Sequence, residues 1–308
     1  MDIDLIENSF KEESKKVVVS YTQFYTYMKC PFRWYNLYAK KIIPREPSIN
    51  AVFGSAIHLT VQEWLNILYN DSVKNSNLFD YEYFLKNKIM EEYSKEVKKF
   101  EKHFSTPLEL SEFYQDGIQI MKELVRDRNL YFTVNKDWEI VDFEYKINEE
   151  LKYNVYLWMF LDVVFRDKKT NKYQILDLKT SSRGWGYYDK NDKYKSAQLL
   201  LYKHFLSKKL DIKVGNIDTK FFILKRKLIP NDYFTPKRIQ IYSPPQALVS
   251  VNKYVKEFND FVNYCYNDLG VLNENNLFPS KGGENYFNCK FCEFKNLDYI
   301  CPKEKREV

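Results

Sequence analysis

The sequence predicts an α/β protein in which a mixed sheet is flanked by helices, with a helical insert and a cysteine-rich clip at the C-terminal end. Apolar residues recur at helical spacing through most of the first 130 residues, whereas they alternate with a period of two in several segments after residue 137. The 308 residues include only 8 Gly and 10 Pro, which argues against a loop-dominated protein. These observations together indicate a folded α/β core.

The first part of the chain is predicted to be helical. Residues 1–16 are charged and are expected to form a flexible arm, and residues 17–41 predict a short apolar entry followed by a helix. Ser20 is the expected N-cap of that helix, and Gln23 three residues later completes a capping box. An amphipathic helix carrying His58 follows a proline-bearing loop.

The chain is predicted to change from helix to sheet near residue 131. The strands are expected at 138–147, 152–166, 173–180, 218–227 and 237–243, with a tight turn in the "NEE" segment between the first two. Helices are expected at 194–209 and 244–269. We therefore divide the chain into an arm (1–16), an N-terminal segment with the first cysteine and His58 (17–58), a helical insert (59–130), a core (131–270) and a cysteine-rich tail (271–308).

Charge and composition favour a cytoplasmic protein that contacts nucleic acid. The formal net charge of +6, from 48 basic and 42 acidic residues, suits a nucleic-acid partner but is weak support for one. The charged N-terminus lacks an apolar signal segment, and no apolar run reaches the length of a membrane span. Disulfides are rare in the cytosol, so clustered cysteines there indicate metal ligands.

Four of the five cysteines form a candidate metal site. Cys289 and Cys292 make a C-x-x-C pair, Cys301 follows, and Cys30 lies near the other end of the chain. Four thiolates suit a [4Fe–4S] cluster or a structural zinc ion, and either would join the two ends of the chain. Cys265 lies in an apolar helical stretch and is expected to be a buried core thiol.

Asp162, Asp177 and Lys179 form a candidate catalytic group on two adjacent predicted strands. A hairpin brings facing side chains together, and residues two apart on a strand share a face. Two carboxylates can bind Mg²⁺ or Mn²⁺, and a lysine can orient a nucleophilic water or stabilise developing negative charge. The alternative is a purely structural Asp–Lys ion pair at a strand end.

Three further side chains have the chemistry to join this group. His58 follows the small residues of "GSAIH", and an imidazole can bind a divalent metal together with carboxylates. Gln198 and Tyr202 lie four residues apart on one face of a predicted helix, where each can hydrogen-bond a phosphate or a carboxylate. His103 and His204 are expected to be structural.

In their order, these motifs resemble the RecB-type branch of the PD-(D/E)XK nuclease superfamily. The resemblance rests on "SYTQFYTYMKCPFRWY", "GSAIH", "LDVVF", "ILDLKTSS", "QLLLY" and the cysteine tail, whereas residues 65–135 carry none of it. It implies a restriction-endonuclease-like mixed sheet and a metal-dependent nuclease. In one departure from the pattern, "WMFLDVV" has bulky residues where relatives often have glycine before the first catalytic aspartate.

The resemblance also implies roles for individual residues. Mg²⁺ or Mn²⁺ would be bound by His58, Asp162, Asp177 and the backbone carbonyl of Leu178. Lys179 would be the catalytic lysine, with Gln198 and Tyr202 as supporting catalytic residues near DNA. A [4Fe–4S] cluster would be bound by Cys30, Cys289, Cys292 and Cys301, as in AddB-type and CRISPR-adaptation exonucleases, with zinc as the alternative.

The sequence thus predicts a metal-dependent DNA exonuclease that acts on single strands or DNA ends in recombination, repair or phage DNA processing. Arg183 and Trp185 are candidate DNA contacts, because an exposed indole can stack on unpaired bases; Tyr187 is a weaker candidate for which core packing is the alternative. The chain has no P-loop motif of its own, and a helicase or recombination protein is a candidate partner. The rival hypotheses are a nuclease subunit of CRISPR spacer acquisition and a non-catalytic scaffold that binds DNA ends.

Overall fold

A computed structural model describes residues 16–42, 46–230, 236–281, 289–290 and 292–306. The predicted arm therefore lies, apart from Lys16, outside the described residues. Within them, no helix is both long enough and apolar enough to cross a membrane.

The fold is a mixed α/β arrangement with six strands in one sheet. The strands are β1 (Val17–Val19), β2 (Trp138–Lys152), β3 (Val155–Asp167), β4 (Lys172–Ser181), β5 (Ile217–Lys225) and β6 (Ile239–Tyr242). Their order is β1-β3-β4-β5-β6, and β2 pairs with β3. Parallel pairing joins β1 to β3 and β4 to β5, whereas β3–β4 and β5–β6 are antiparallel. The predicted mixed sheet is confirmed.

The helices agree in kind with the sequence prediction. They are α1 (Tyr21–Lys29), α2 (Pro31–Trp34), α3 (Ile49–Asn70), α4 (Val73–Leu78), α5 (Tyr81–Phe100), α6 (Pro107–Arg126), α7 (Arg128–Tyr131), α8 (Tyr187–Asn191), α9 (Lys193–Leu210) and α10 (Leu248–Cys265). A π-helical turn at Tyr35–Ala39 follows α2. The Ser20 hydroxyl caps α1 by accepting from the Gln23 backbone N–H at 3.3 Å. The Gln23 side chain instead donates to the Val18 carbonyl, so only half of the capping box forms.

One predicted turn is wrong. The "NEE" segment is part of β2, which ends at Lys152. The chain reverses two residues after Lys152, where Asn154 has a left-handed backbone with φ of 61°. Asparagine tolerates that conformation better than most residues, which makes it a common residue of tight hairpin turns. Ile147 is buried and both of its neighbours Lys146 and Asn148 are exposed, so the period-two pattern of the strand continues into this segment.

The chain forms two compact units, each assembled from separate stretches of sequence. The first comprises residues 1–45, 146–160 and 252–308, and the second comprises residues 46–145 and 161–251. Aromatic packing dominates the described part of the first unit, where Trp34 and Phe24 each contact the ring of Phe261. In the second unit, α3, α5 and α6 contribute to one apolar core with β3, β4 and β5. Trp64, Leu176 and Phe222 are fully or almost fully buried in that core.

Candidate active site

Asp177 and Lys179 lie two residues apart on β4, and their side chains meet. The Lys179 Nζ atom is 2.6 Å from Asp177 Oδ2. The Asp177 side chain is 1% exposed and that of Lys179 is 32% exposed. The predicted shared face is therefore confirmed, and the pair extends from the core toward solvent.

Asp162 approaches the same point from β3. The β3–β4 register places Val163 opposite Leu176, so Asp162 and Asp177 are the next two positions along the hairpin. Asp162 Oδ2 accepts a hydrogen bond from the Leu178 backbone N–H at 2.6 Å. This bond fixes the Asp162 carboxylate against the β4 residue that lies between Asp177 and Lys179.

The three charges are strongly coupled. Burial and the charge of Asp177 raise the pKa of Asp162 well above its usual value, although Lys179 opposes this shift. Burial also raises the pKa of Asp177, again against the effect of Lys179. Burial alone would lower the pKa of Lys179, but the two carboxylates raise it above its usual value. Lys179 therefore stays protonated, with its ammonium group paired to Asp177 and within reach of the charge of Asp162.

His58 contributes a neutral imidazole from α3. Burial and the charge of Lys179 lower its pKa to about 3. Its Nε2 atom is buried and has no hydrogen-bond partner among the described residues. A buried ring nitrogen without a partner is costly in a core, whereas a neutral imidazole is the form that binds metals.

Gln198 and Tyr202 form a hydrogen-bonded chain that ends on Asp177. Gln198 Nε2 lies 3.1 Å from Asp177 Oδ1 and 2.8 Å from the Tyr202 hydroxyl. Both residues lie on α9 with less than a tenth of their surface exposed. Burial and the charge of Asp177 raise the pKa of Tyr202 well above its usual value, so its hydroxyl is neutral.

The sequence interpretation missed Gln62 and Glu144. Gln62 Nε2 donates to Glu144 Oε1 at 2.8 Å and lies 3.1 Å from the backbone carbonyl oxygen of Asp162. The charge of Glu144 contributes to the raised pKa of both Asp162 and Asp177, so this carboxylate faces the same group. Gln62 could have been found, because it lies one helical turn after His58. Glu144 could not, because the left-handed backbone (φ of 51°) that it adopts within β2 has no sequence signal.

These side chains have the donor chemistry of a divalent metal site, but their present arrangement is not one. Among the described residues, no three His, Cys, Asp or Glu side chains are positioned to hold a metal ion. The ammonium of Lys179 forms an ion pair with Asp177 Oδ2, and the Leu178 N–H donates to Asp162 Oδ2, so positively charged or polar N–H groups of the protein face those oxygens. The unpartnered Nε2 of His58 and two coupled carboxylates nevertheless fit Mg²⁺ or Mn²⁺.

The two candidate DNA contacts lie just beyond β4. Arg183 is exposed, as a phosphate contact requires. The ring of Trp185 instead packs on Phe221 at a centroid distance of 4.6 Å. Tyr187 is 76% exposed, so the core-packing alternative for that residue is wrong.

The cysteines of the predicted clip lie in the first unit. Cys30 and Cys301 are buried, while Cys289 and Cys292 are partly exposed. Burial and the neighbouring thiols of Cys301 and Cys30 raise the pKa of Cys289. Burial, with a smaller contribution from Cys30, raises the pKa of Cys292 to about 11. Cys30 is thus close enough to Cys289 and Cys292 to affect their pKa, and Cys301 to affect that of Cys289, although these cysteines do not form a metal-holding group.

Contacts between the chain's N-terminal segment and its tail surround these thiols. Arg33 makes a two-pronged ion pair with Glu293, with N–O distances of 2.8 and 2.7 Å. The Phe32 N–H donates to the Pro279 carbonyl at 3.2 Å, and the Lys281 N–H lies 3.5 Å from Cys30 Sγ. Cys265 is completely buried among apolar residues, which confirms it as a core thiol.

The chain matches a known protein family. The family described as the PD-(D/E)XK nuclease superfamily matches residues 18–302. The match thus covers every candidate site residue in both units. None of the curated proteins compared with the chain matches it.

Proposed function

Because the chain belongs to the PD-(D/E)XK nuclease superfamily, whose members are typically metal-dependent nucleases, we propose that it is a divalent-metal-dependent DNA exonuclease. The observation that carries this proposal is the meeting of Asp162, Asp177 and Lys179 at one point of the β3–β4 hairpin. The proposed substrates are DNA ends and single strands. Recombination, repair or phage DNA processing is the proposed setting.

In the proposed mechanism, each residue of the site has a separate task. His58, Asp162, Asp177 and the Leu178 carbonyl would hold Mg²⁺ or Mn²⁺. When bound, such an ion activates water and offsets charge on the scissile phosphate. The protonated ammonium of Lys179 orients the attacking water and stabilises negative charge as it develops. Gln198 holds the Asp177 carboxylate in place, and Tyr202 holds Gln198.

The energetics of the site favour an enzyme over a non-catalytic scaffold. Burial raises the pKa of both carboxylates, and the charge of Asp177 raises that of Asp162 further, so the group carries a desolvation cost that one lysine offsets only in part. A protein that only holds DNA ends has no need of such a group, since surface lysines and arginines suffice for phosphate binding. A role in CRISPR spacer acquisition, or in a complex with a helicase, would use the same catalytic site and would differ only in the partner proteins that bind the chain.

We further propose that Cys30, Cys289, Cys292 and Cys301 bind a [4Fe–4S] cluster, with zinc as the alternative. The mutual influence of their thiols supports this proposal, as does the backbone N–H that points at Cys30 Sγ. Hydrogen bonds to cluster sulfurs are common in such sites. The Arg33–Glu293 pair brings the tail to Cys30 by a contact that needs no metal.

The proposed activity is tested with two forms of one DNA. The purified protein is incubated with end-labelled linear DNA and with covalently closed circles, with Mg²⁺, Mn²⁺ or EDTA. We expect stepwise degradation of the linear form with either metal, intact circles, and no cleavage in EDTA. Equal cleavage of circles would show an endonuclease, and no cleavage of either DNA under any condition would reject the proposed function.

A further inference from the structure

The segment of residues 183–195 connects β4 to α9 and carries a surface that the catalytic group does not use. We propose that Tyr187 and Tyr188 on this segment stack on the bases of single-stranded DNA, while Arg183, Lys190 and Lys193 contact its phosphates. This inference rests on the proposed nuclease function and specifies its substrate as an unpaired strand.

The start of the segment is held firmly against the sheet. Gly184 has a φ of +91°, and a Cβ atom there would lie 2.7 Å from Lys225 Cδ and 2.8 Å from Gln240 Oε1. Only glycine fits this close approach without displacing its neighbours. Gln240 then accepts from the Trp185 N–H at 2.7 Å and donates to the Trp185 carbonyl at 3.1 Å. The segment is therefore a fixed support and not a loose loop.

Trp185 connects this support to the catalytic lysine. Its ring packs on Phe221, and the Lys179 Nζ lies 5.9 Å from the centroid of that same phenyl ring. Lys195 Nζ lies 5.2 Å from the Trp185 ring. A DNA strand bound along the segment would thus begin next to the proposed catalytic group. Trp185 would support the segment by packing on Phe221 and would not itself contact the DNA.

The two tyrosines extend from this support into solvent. Tyr187 is 76% exposed and Tyr188 is 77% exposed, and their ring centroids are 5.8 Å apart with planes at 83°. Large aromatic side chains exposed next to a catalytic group are typical of surfaces that bind unpaired bases, because every base has a face for stacking. A duplex hides those faces, so the tyrosines favour a single strand.

The charges of the segment complement a phosphate backbone. Its two carboxylates are already used, since Asp189 pairs with Lys195 at 2.5 Å and Asp192 caps α9 by accepting from the Tyr194 N–H at 3.1 Å. Within the described part of the chain, Arg183, Lys190 and Lys193 have no carboxylate partner. Exposed rings on the same segment as cations without a carboxylate partner match a single-stranded polyanion better than an apolar protein surface does.

Binding measurements in EDTA test the proposal without depending on cleavage. The full-length protein and the double variant Tyr187→Ala/Tyr188→Ala are titrated against a labelled single-stranded oligonucleotide and the corresponding blunt duplex. We expect the variant to bind the single strand about tenfold more weakly, as the loss of stacked bases requires, and to bind the duplex within about twofold of the original protein. Tyr187→Phe/Tyr188→Phe keeps both rings and should bind like the original protein.

The matched control is Tyr83→Ala, which removes a tyrosine that is 67% exposed on α5 of the same unit. It should leave both affinities unchanged. Equal single-strand binding by the original protein and the alanine variant would overturn the proposal, as would equal losses for single strand and duplex or an equal loss in the phenylalanine variant. Cleavage with Mg²⁺ is assayed separately: an inactive protein that still shows the expected binding difference rejects the nuclease function alone.

Discussion

Gln62 Nε2 lies 2.8 Å from Glu144 Oε1 and thereby joins the helix that carries His58 to a third acidic side chain of the site. The same amide also contacts the Asp162 carbonyl. Gln62 is 6% exposed, so little water can replace these bonds. Its position identifies it as the residue that holds Glu144 and the backbone of Asp162 in place.

We therefore expect Gln62→Ala to reduce the turnover of DNA cleavage by about tenfold, because small displacements of catalytic groups have large effects on rate. The loss of a buried partner should also lower the free energy of unfolding by about 1–3 kcal/mol. The control is Gln246→Ala, since Gln246 bonds the backbone of Thr219 in the same unit but makes no contact with the catalytic group. Equal turnover of the two variants, measured well below their melting temperatures, would show that Gln62 is only structural.

Gly54 gives a test of close packing beside Lys179, the proposed catalytic lysine. A Cβ atom at this position would lie 3.4 Å from Thr180 Oγ1, which is an ordinary contact. We expect Gly54→Ala to keep activity within a few-fold, whereas Gly54→Leu must push against the residue that follows Lys179 and should abolish cleavage. Cleavage assays and thermal melts of the Gly54→Ala and Gly54→Leu variants test this prediction. Full activity of Gly54→Leu would mean that α3 can move away without harm to the site.

The raised carboxylate pKa values predict how metal-free stability depends on pH. A carboxyl whose pKa is higher in the folded than in the unfolded protein takes up protons on folding, so stability falls as pH rises from the unfolded pKa to the folded one. Asp162 should therefore lower stability at neutral pH without metal, because its folded environment disfavours the charged form that the unfolded chain adopts there. Asp162→Asn should melt at a higher temperature than the original protein at pH 7 in EDTA, and the difference should shrink toward pH 4.

Metal should reverse the order of the two melting temperatures, so that the original protein melts above Asp162→Asn. Mg²⁺ or Mn²⁺ should raise the melting temperature of the original protein, because a ligand that binds only the folded state stabilises it, and should leave Asp162→Asn nearly unchanged. Melting curves with and without metal measure both effects. A lower melting temperature for Asp162→Asn in EDTA would contradict the charge coupling described here.

The cysteine site predicts a coloured protein. Anaerobically purified protein should be brown and contain about four iron atoms, as a four-thiolate cubane requires. Replacing Cys30 or Cys301 by Ser should remove the colour and lower stability, because cluster binding contributes folding energy. Cys265→Ala should keep the cluster, since Cys265 is buried elsewhere in the apolar core. A colourless protein with one zinc ion would support the alternative metal.

The sequence predicted the parts of the site that depend on periodicity. Asp177 and Lys179 share a face because strands alternate, and Gln198 and Tyr202 meet because helical residues four apart are neighbours. These local rules hold here because the strand and the helix are regular. The placement of Asp162 opposite Asp177 also followed from a short hairpin turn.

What the sequence could not predict depends on backbone irregularity and on long-range packing. The left-handed backbone at Glu144 and its hydrogen bond to Gln62, 82 residues earlier in the chain, have no sequence signal. The hairpin between β2 and β3 turns at Asn154 and not at the acidic segment before it. Trp185 seemed a candidate for stacking on DNA, but Phe221, which packs beneath it, is on a strand more than 30 residues later.

The central claim is that the Asp162–Asp177–Lys179 group is a metal-dependent catalytic site, and Lys179→Ala tests it most directly. The matched control is Lys172→Ala, which removes a lysine from the exposed start of the same strand. With Mg²⁺ and linear DNA, we expect Lys179→Ala to lose at least about 100-fold in cleavage rate, as the loss of an electrostatic stabiliser implies. Its affinity for DNA in EDTA should be unchanged. The Lys172→Ala control should stay fully active. Cleavage by Lys179→Ala at the rate of the Lys172→Ala control, or undiminished cleavage in EDTA, would contradict the account.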